Sequence, residues 1–307
     1  MKRQTLKRWA ARLLVALGCF IGFFFLVVLP VAGSFLITNS RFHYRERGPT
    51  DPRALGLPVT DVEFTSSDSI PLKGWWSPGD PAKPVIIFIH GLNRSRLELL
   101  ERAADANKRG YGVLLFDLRN HGDSGRAYTT IGVFESRDVC AASSFVRHEA
   151  AARPQILWGV SMGASSGILA AKQCPGFQAI IADSSFLSFR ETIAHHLNLI
   201  FRLPSFPIAN LIVAITAIRT GLNPDDGDVE AAVRQINTPI LFIAGGKDRR
   251  MPPELAERMM NASPNPMKQL LLVPGASHGE AFATDRVNYL NSVYRFLDTL
   301  RYNSGSL

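Results

Sequence analysis

The chain has 307 residues, of which 46% are hydrophobic, and its formal net charge is +8. This length and composition suit one large α/β domain with a sizeable core. Most of the charge lies outside that domain: residues 2–12 carry five positive charges and residues 41–53 carry a net +2. Subtracting these leaves about +1 for residues 54–307, which is too little for a phosphate-binding surface. We therefore expect no nucleic-acid partner.

An apolar segment near the N-terminus, residues 13–38, is long enough to cross a membrane as one helix. More positive charge precedes it than follows it, so the positive-inside rule places residues 1–12 in the cytoplasm and the domain outside. In a Gram-negative bacterium that compartment would be the periplasm. The alternative is a cleaved signal peptide with the small residues 31–33 at its cleavage site. An uncleaved anchor is favoured, because the apolar run is longer than that of a typical signal.

The rest of the chain divides into a polar tether, residues 39–60, and a domain, residues 61–307. An edge hairpin is predicted first, and short apolar strands then alternate with helices, which indicates a mostly parallel sheet covered on both faces. The strands are predicted at 62–65, 72–76, 85–89, 113–117, 156–159, 179–183, 240–244 and 270–273. The helices are predicted at 97–109, 134–149, 164–172, 253–261 and 284–300. Residues 186–236 are too long for one connection and are predicted to form connecting helices and a short helical lid.

Residues 159–163 read Gly-Val-Ser-Met-Gly between a predicted strand and a predicted helix. In this setting Gly-x-Ser-x-Gly is typical of a sharp turn that exposes a nucleophilic serine. The same five-residue pattern surrounds Ser165 and Ser277. Ser165 would lie inside the helix, and Ser277 cannot begin the order serine, acid, histidine, because no histidine follows His278. Ser161 is therefore the predicted nucleophile.

A serine hydroxyl becomes nucleophilic when a base takes its proton and an acid orients that base. His278 follows the last predicted strand in a glycine-bounded loop and is the predicted base. Asp248 follows the preceding strand and is the predicted orienting acid, while Asp183, also at a strand end, is the alternative. The oxyanion is expected to bind the backbone N–H groups of Leu92 and Met162.

Two of the three cysteines fall in the domain, Cys140 early in one predicted helix and Cys174 at the end of another. If these helices are parallel neighbours, the thiols lie at opposite ends, and we predict that they do not form a disulfide. No spacing of cysteine and histidine suggests a zinc site. No metal or organic cofactor is implied.

The motifs together resemble the α/β-hydrolase superfamily over about residues 60–300. They are His90-Gly91, Asp117-x-Arg119-x-His121-Gly122-x-Ser124, Gly159-x-Ser161-x-Gly163, Gly245-Gly-Lys-Asp248 and Gly275-Ala-Ser-His278. The anchor, the short lid and residues 183–187 are similar to membrane-anchored serine hydrolases of the serine-aminopeptidase-like branch. Members of that wider group include esterases, lipases, thioesterases, depalmitoylating enzymes and peptidases. The resemblance therefore implies an α/β-hydrolase fold and acyl-transfer hydrolysis, without choosing the substrate.

The predicted function is hydrolysis of a carboxylic ester or thioester of a small acyl substrate, through an acyl-enzyme on Ser161. An amide or peptide hydrolase and an acyltransferase are the alternative enzymes. A non-catalytic anchored binding protein is the alternative from another class, although each part of the catalytic motif is present. The sequence identifies the membrane as a partner of the N-terminal helix and identifies no protein partner.

Overall fold

The computed structural model describes residues 2–39 and 48–300. Eight strands form one sheet in the order β1-β2-β4-β3-β5-β6-β7-β8. The hairpin β1-β2 is antiparallel, β2 joins β4 antiparallel, and the remaining neighbours are parallel. The strands are β1 (Thr60–Thr65), β2 (Pro71–Ser77), β3 (Val85–Ile89), β4 (Gly112–Phe116), β5 (Gln155–Val160), β6 (Phe177–Asp183), β7 (Ile240–Gly245) and β8 (Lys268–Val273). This arrangement confirms the predicted mostly parallel sheet.

The apolar runs that predicted the central strands are buried on both faces of the sheet. Successive side chains of a strand point to opposite faces, so Ile87 and Ile89 join one core while Ile86 and Phe88 join the other. A strand of this kind needs apolar residues at every position, which is why β3 shows no alternation of polar and apolar residues.

Helices cover both faces of the sheet. The helices of the domain are α3 (Leu100–Lys108), α4 (Glu135–Glu149), α5 (Met162–Gln173), α6 (Phe189–Phe201), α7 (Ile208–Thr220), α8 (Val229–Gln235), α9 (Pro253–Ala262), α10 (Ala281–Thr284) and α11 (Arg286–Asp298). The closing helix, predicted as one piece, is divided at Asp285. The carboxylate of Asp285 accepts a hydrogen bond from the N–H of Asn288 and caps the start of α11. Helix α10 therefore ends before Asp285.

The N-terminal helix consists of α1 (Lys2–Phe23), a wider π-helical stretch (Phe24–Val28) and α2 (Leu29–Thr38). Within the part of the chain that the structure describes, Leu6–Thr38 is the one helix long and apolar enough to cross a membrane. Its last turns pack against α7, where the hydroxyl of Ser34 accepts a hydrogen bond from Arg219 at 2.7 Å. Residue 1, residues 40–47 of the predicted tether and residues 301–307 lie outside the described residues.

The prediction that Cys140 and Cys174 remain unpaired is wrong. They form a disulfide, and their Cα atoms are 5.9 Å apart. The prediction assumed that α4 and α5 begin at the same level of the sheet. In the structure, Cys140 in the second turn of α4 lies beside the last turn of α5, with its sulfur 3.9 Å from the carbonyl oxygen of Ala170. A long loop precedes α4, whereas α5 begins directly after β5, so the two helices are displaced along their axes.

Candidate active site

Ser161 occupies a sharp turn between β5 and α5, at φ 53° and ψ −116°. A non-glycine residue rarely adopts this conformation, which stores strain at the site. The flanking glycines permit the turn: a Cβ atom on Gly159 would lie 2.4 Å from the carbonyl carbon of Gly163, and one on Gly163 would lie 2.1 Å from the carbonyl oxygen of Ile89. The backbone therefore approaches both glycines too closely for a side chain, as the sharp turn predicted from the motif requires.

His278 lies between the predicted nucleophile and the predicted acid. Its Nε2 is 2.8 Å from Oγ of Ser161, and its Nδ1 is 2.7 Å from Oδ2 of Asp248. The structure thus brings together three residues that are far apart in the sequence. Both distances are those of hydrogen bonds, and the order of the groups is the one that activates a serine.

Backbone N–H groups fix the carboxylate of Asp248. Its Oδ1 accepts hydrogen bonds from the N–H groups of Arg250 and Met251, each at 2.8 Å, which leaves Oδ2 for His278. The loops that carry Asp248 and His278 follow the neighbouring strands β7 and β8. They also touch directly, because the N–H of Lys247 donates to the carbonyl oxygen of Ala276 at 2.8 Å.

Asp183, the alternative acid, is fully buried and bonds elsewhere. Its carboxylate accepts hydrogen bonds from the hydroxyls of Ser184 and Tyr289, both at 3.0 Å. Burial raises the pKa of Asp183, because the ionised form loses its hydration. Its backbone carbonyl accepts the N–H of Ser161 at 2.8 Å, so Asp183 supports the nucleophile turn through its main chain. The geometry favours Asp248 as the partner of His278.

The two predicted oxyanion donors belong to segments that meet at Ser161. Met162 is the first residue of α5, so its N–H is one of the donors that a helix leaves unpaired at its start. Leu92 belongs to the loop after β3, where a Cβ atom on Gly91 would lie 3.5 Å from Cβ of Ser161. Within residues 2–39 and 48–300, neither the N–H of Leu92 nor that of Met162 donates a backbone hydrogen bond outside a helix or strand ladder. Both N–H groups therefore remain available for the predicted role.

Two buried histidines hold the loop after β3 and do not act as bases. Nε2 of His90 accepts the N–H of Leu118 at 3.0 Å, so its proton is on Nδ1, which donates to the carbonyl oxygen of Gly91 at 2.8 Å. His121 bonds in the same way: Nε2 accepts the N–H of Asn93 at 3.1 Å, and Nδ1 lies 2.8 Å from a carbonyl oxygen. Both histidines belong to motifs that are visible in the sequence, but the sequence does not reveal these bonds.

The loop after β4 is held by a buried ionic network centred on Arg119. Its guanidinium bonds to the carboxylates of Asp138, at 2.7 Å, and Asp68, at 2.6 and 2.8 Å. Burial alone would raise the pKa of Asp68, but the hydrogen bonds and charge of Arg119 outweigh it and lower the pKa to about 2. The network supports the loop that carries His121.

Among residues 2–39 and 48–300, no histidine hydrogen-bonds to either of the two other serines in a Gly-x-Ser-x-Gly pattern. Ser165 is buried within α5, where its hydroxyl lies 2.9 Å from that of Ser185 and accepts the N–H of Phe186. Ser277 is exposed in the loop before His278.

An open cavity of about 930 Å³ lies near the end of the N-terminal helix, with Asn39 and Tyr128 in its lining. Ser161, Asp248 and His278 do not line this cavity.

Comparison with known proteins agrees with this fold. The model of the alpha/beta hydrolase family matches residues 86–288, and the chain belongs to this family. The protein YqkD of Bacillus subtilis is 29% identical over 232 residues, which is 75% of this chain and 76% of the relative. The polyketide transferase ATR5 of Stachybotrys chlorohalonatus is 29% identical over 220 residues, 69% of each chain. The esterase Pf2001 of Pyrococcus furiosus has a TM-score of 0.69 at 26% identity, covering 84% of this chain and 97% of its own.

Proposed function

We propose that the protein is a membrane-anchored serine hydrolase that cleaves a carboxylic ester or thioester. The observation that carries the proposal is the continuous hydrogen-bonded line from Asp248 through His278 to Ser161. A structural serine needs neither a strained backbone nor a histidine that a buried carboxylate orients. Both features are what a nucleophilic serine requires.

In the proposed reaction, Nε2 of His278 takes the proton of Ser161 while Oγ bonds to the substrate carbonyl carbon. Asp248 keeps the other proton on Nδ1 and stabilises the imidazolium cation. The oxyanion accepts hydrogen bonds from the N–H groups of Leu92 and Met162. His278 then donates its proton to the leaving alcohol or thiol as the acyl-enzyme forms. A water molecule, deprotonated by His278, releases the acid and restores Ser161.

Ester hydrolysis is preferred within this class because Pf2001, which has a similar structure, is named an esterase. The segment between β6 and α8 is rich in exposed apolar residues, which favours an acyl substrate. The resemblance to the serine-aminopeptidase-like branch belongs to the same proposal. Acyl transfer is the second candidate, because ATR5 is named a polyketide transferase. It would use the same acyl-enzyme and replace water with another acceptor.

We further propose that the N-terminal helix anchors the protein and that the catalytic domain lies outside the cytoplasm. The distribution of positive charge around the helix supports this orientation. The Cys140–Cys174 disulfide supports it independently, because disulfides form and persist in oxidising compartments.

A chain-length series tests the reaction. The full chain in detergent would be assayed with p-nitrophenyl esters and acyl thioesters from acetyl to palmitoyl, as wild type, Ser161→Ala and Ser165→Ala. We expect Ser161→Ala to lose about 10⁴-fold or more in turnover with an unchanged thermal midpoint. Ser165→Ala, the control from the neighbouring Gly-x-Ser-x-Gly pattern, should keep its turnover. Equal turnover in Ser161→Ala and wild type would overturn the proposal, and ester formation with an added alcohol in preference to acid would favour a transferase.

A further inference from the structure

The end of the N-terminal helix and helix α7 run side by side in the same direction. A Cβ atom on Gly33 would lie 3.0 Å from the side chain of Ile212. The hydroxyls of Ser34 and Thr216 are 3.0 Å apart. Further along both helices, Arg219 donates a hydrogen bond to the hydroxyl of Thr38 at 3.3 Å. Since Ile212 faces Gly33 and Arg219 reaches Thr38, residue numbers rise together along both helices. The start of α7 therefore points back toward the N-terminal part of the long helix.

That direction places the start of α7 at the depth of the membrane. Helix α7 contacts the π-helical stretch Phe24–Val28 as well as α2. A hydrocarbon core about 30 Å thick needs roughly 20 helical residues, so a span that begins at Leu13 ends near residue 32. Phe24–Val28 then lies inside the hydrocarbon, about 10 Å below the point where the helix leaves it.

The turn between α6 and α7 carries large apolar side chains that the protein does not cover. The exposed fractions are 59% for Ile200, 54% for Phe201 and 75% for Phe206. Exposed apolar residues clustered in this way mark a surface that meets another apolar phase. Arg202 lies in the same turn, and its long side chain can extend its charge toward the lipid headgroups.

The middle of α6 contacts the candidate active site. Nε2 of His195 on α6 lies 2.9 Å from the carbonyl oxygen of Arg249, the residue after the orienting acid Asp248. Helix α6 thus connects the loop that carries Asp248 to the apolar turn. A substrate that rests in the lipid beside the turn would be next to the segment that borders the site.

We propose that the α6–α7 turn, residues 200–207, inserts into the acyl-chain region of the leaflet next to the N-terminal helix. The partner of this surface is the lipid bilayer, and an acyl substrate of the proposed hydrolase would reach Ser161 from that leaflet. The inference rests on the membrane anchoring proposed above. Insertion of residues 200–207 goes beyond anchoring by the N-terminal helix, because a part of the catalytic domain then lies within the lipid.

Depth-dependent quenching tests the insertion in the full chain. A Cys19→Ser background removes the free thiol, and single cysteines are introduced as Phe206→Cys, Leu17→Cys and Val287→Cys and labelled with the NBD fluorophore. The proteins are reconstituted into phosphatidylcholine liposomes and treated with doxyl-labelled lipid or with iodide. Leu17 reports on the spanning helix. Val287, which is 71% exposed on α11 across the sheet from α7, is the matched apolar control for water.

We expect the label at position 206 to be quenched by doxyl lipid and protected from iodide, as at position 17, while position 287 shows the reverse. Iodide quenching at 206 with lipid quenching at 17 would overturn the inference and leave the anchor intact. Protection of 206 from both quenchers would mean that protein covers the turn, and this would also overturn it. Iodide quenching at 17 would overturn the anchoring itself, and the insertion with it.

Discussion

Oδ2 of Asp248 lies 2.7 Å from Nδ1 of His278. The second oxygen of this carboxylate accepts two backbone N–H groups, so the side chain cannot turn away from the imidazole. A carboxylate held in this way keeps the Nδ1 position protonated, and Nε2 then faces Ser161 as an acceptor. In the proposed mechanism Asp248 is therefore a positioning residue, and we expect its removal to act through His278.

Asp248→Asn should lower kcat for a short p-nitrophenyl ester by about 10⁴-fold, because the amide stabilises the wrong tautomer of His278. The thermal midpoint should change little, since an amide has the same shape. Asp183→Asn is the matched control: it should keep most of its kcat and lose stability, because its carboxylate accepts two buried hydroxyls. Inactive Asp183→Asn together with active Asp248→Asn would show that the acid is wrongly assigned.

Gly163→Ala should destabilise the protein by about 3 kcal/mol or more. The added Cβ atom would lie 2.1 Å from the carbonyl oxygen of Ile89, and neither backbone segment can move without disturbing the central strands. Gly167→Ala, one turn later in α5, should be neutral or stabilising, because its Cβ would be 3.4 Å from the nearest atom and alanine favours a helix. Urea unfolding of both variants measures the difference, and equal free energies of unfolding would contradict the prediction.

The Cys140–Cys174 disulfide closes a segment with a sequence separation of 34 residues. Loss of the bond should lower the free energy of unfolding by about 3 kcal/mol, since the unfolded chain gains freedom. Turnover should persist, because Cys174 lies roughly 20 Å along α5 from the serine turn. The measurement is urea unfolding of the double variant Cys140→Ser/Cys174→Ser, with Cys19→Ser as the control. Unchanged unfolding of the double variant would contradict this account.

Asp68 should contribute stability that depends on pH. Its pKa falls from 3.8 in the unfolded chain to about 2 in the folded protein, because Arg119 outweighs the effect of burial. A lowered pKa stabilises the folded state above about pH 4, and this contribution is lost as the pH falls toward 2. Asp68→Asn should therefore be less stable than wild type at neutral pH, and the difference should shrink below pH 4. A difference that stays constant through this range would exclude the ionised pair as its source.

The sequence predicted the sheet well because its strands are short apolar runs bounded by glycines and polar loops. It also predicted the position of Ser161, since a sharp turn between a strand and a helix requires glycine at fixed positions. His278 and Asp248 could be found because both follow strands whose carboxyl ends meet at one edge of the sheet. The local residue pattern and the order of the motifs along the chain are therefore enough to predict the strands and the positions of these three residues.

Features that depend on how helices are placed along their axes could not be predicted. The displacement of α4 along α5 brings Cys140 to Cys174, and no local pattern encodes that displacement. The contact between Ser34 and Arg219 joins residues 185 positions apart, and neither residue belongs to a recognisable motif. The bonds of His90 and His121 likewise depend on which backbone N–H groups the folded loops present to them.

Covalent labelling with a fluorophosphonate measures whether Ser161 is an activated nucleophile. Wild type, Ser161→Ala and His278→Gln would be treated with a fluorophosphonate in detergent, and the modified peptide would be located by mass spectrometry. We expect one adduct, on Ser161, in wild type, none on Ser161→Ala, and at least about 10³-fold slower labelling of His278→Gln. An adduct on another serine, or undiminished labelling of His278→Gln, would contradict this prediction.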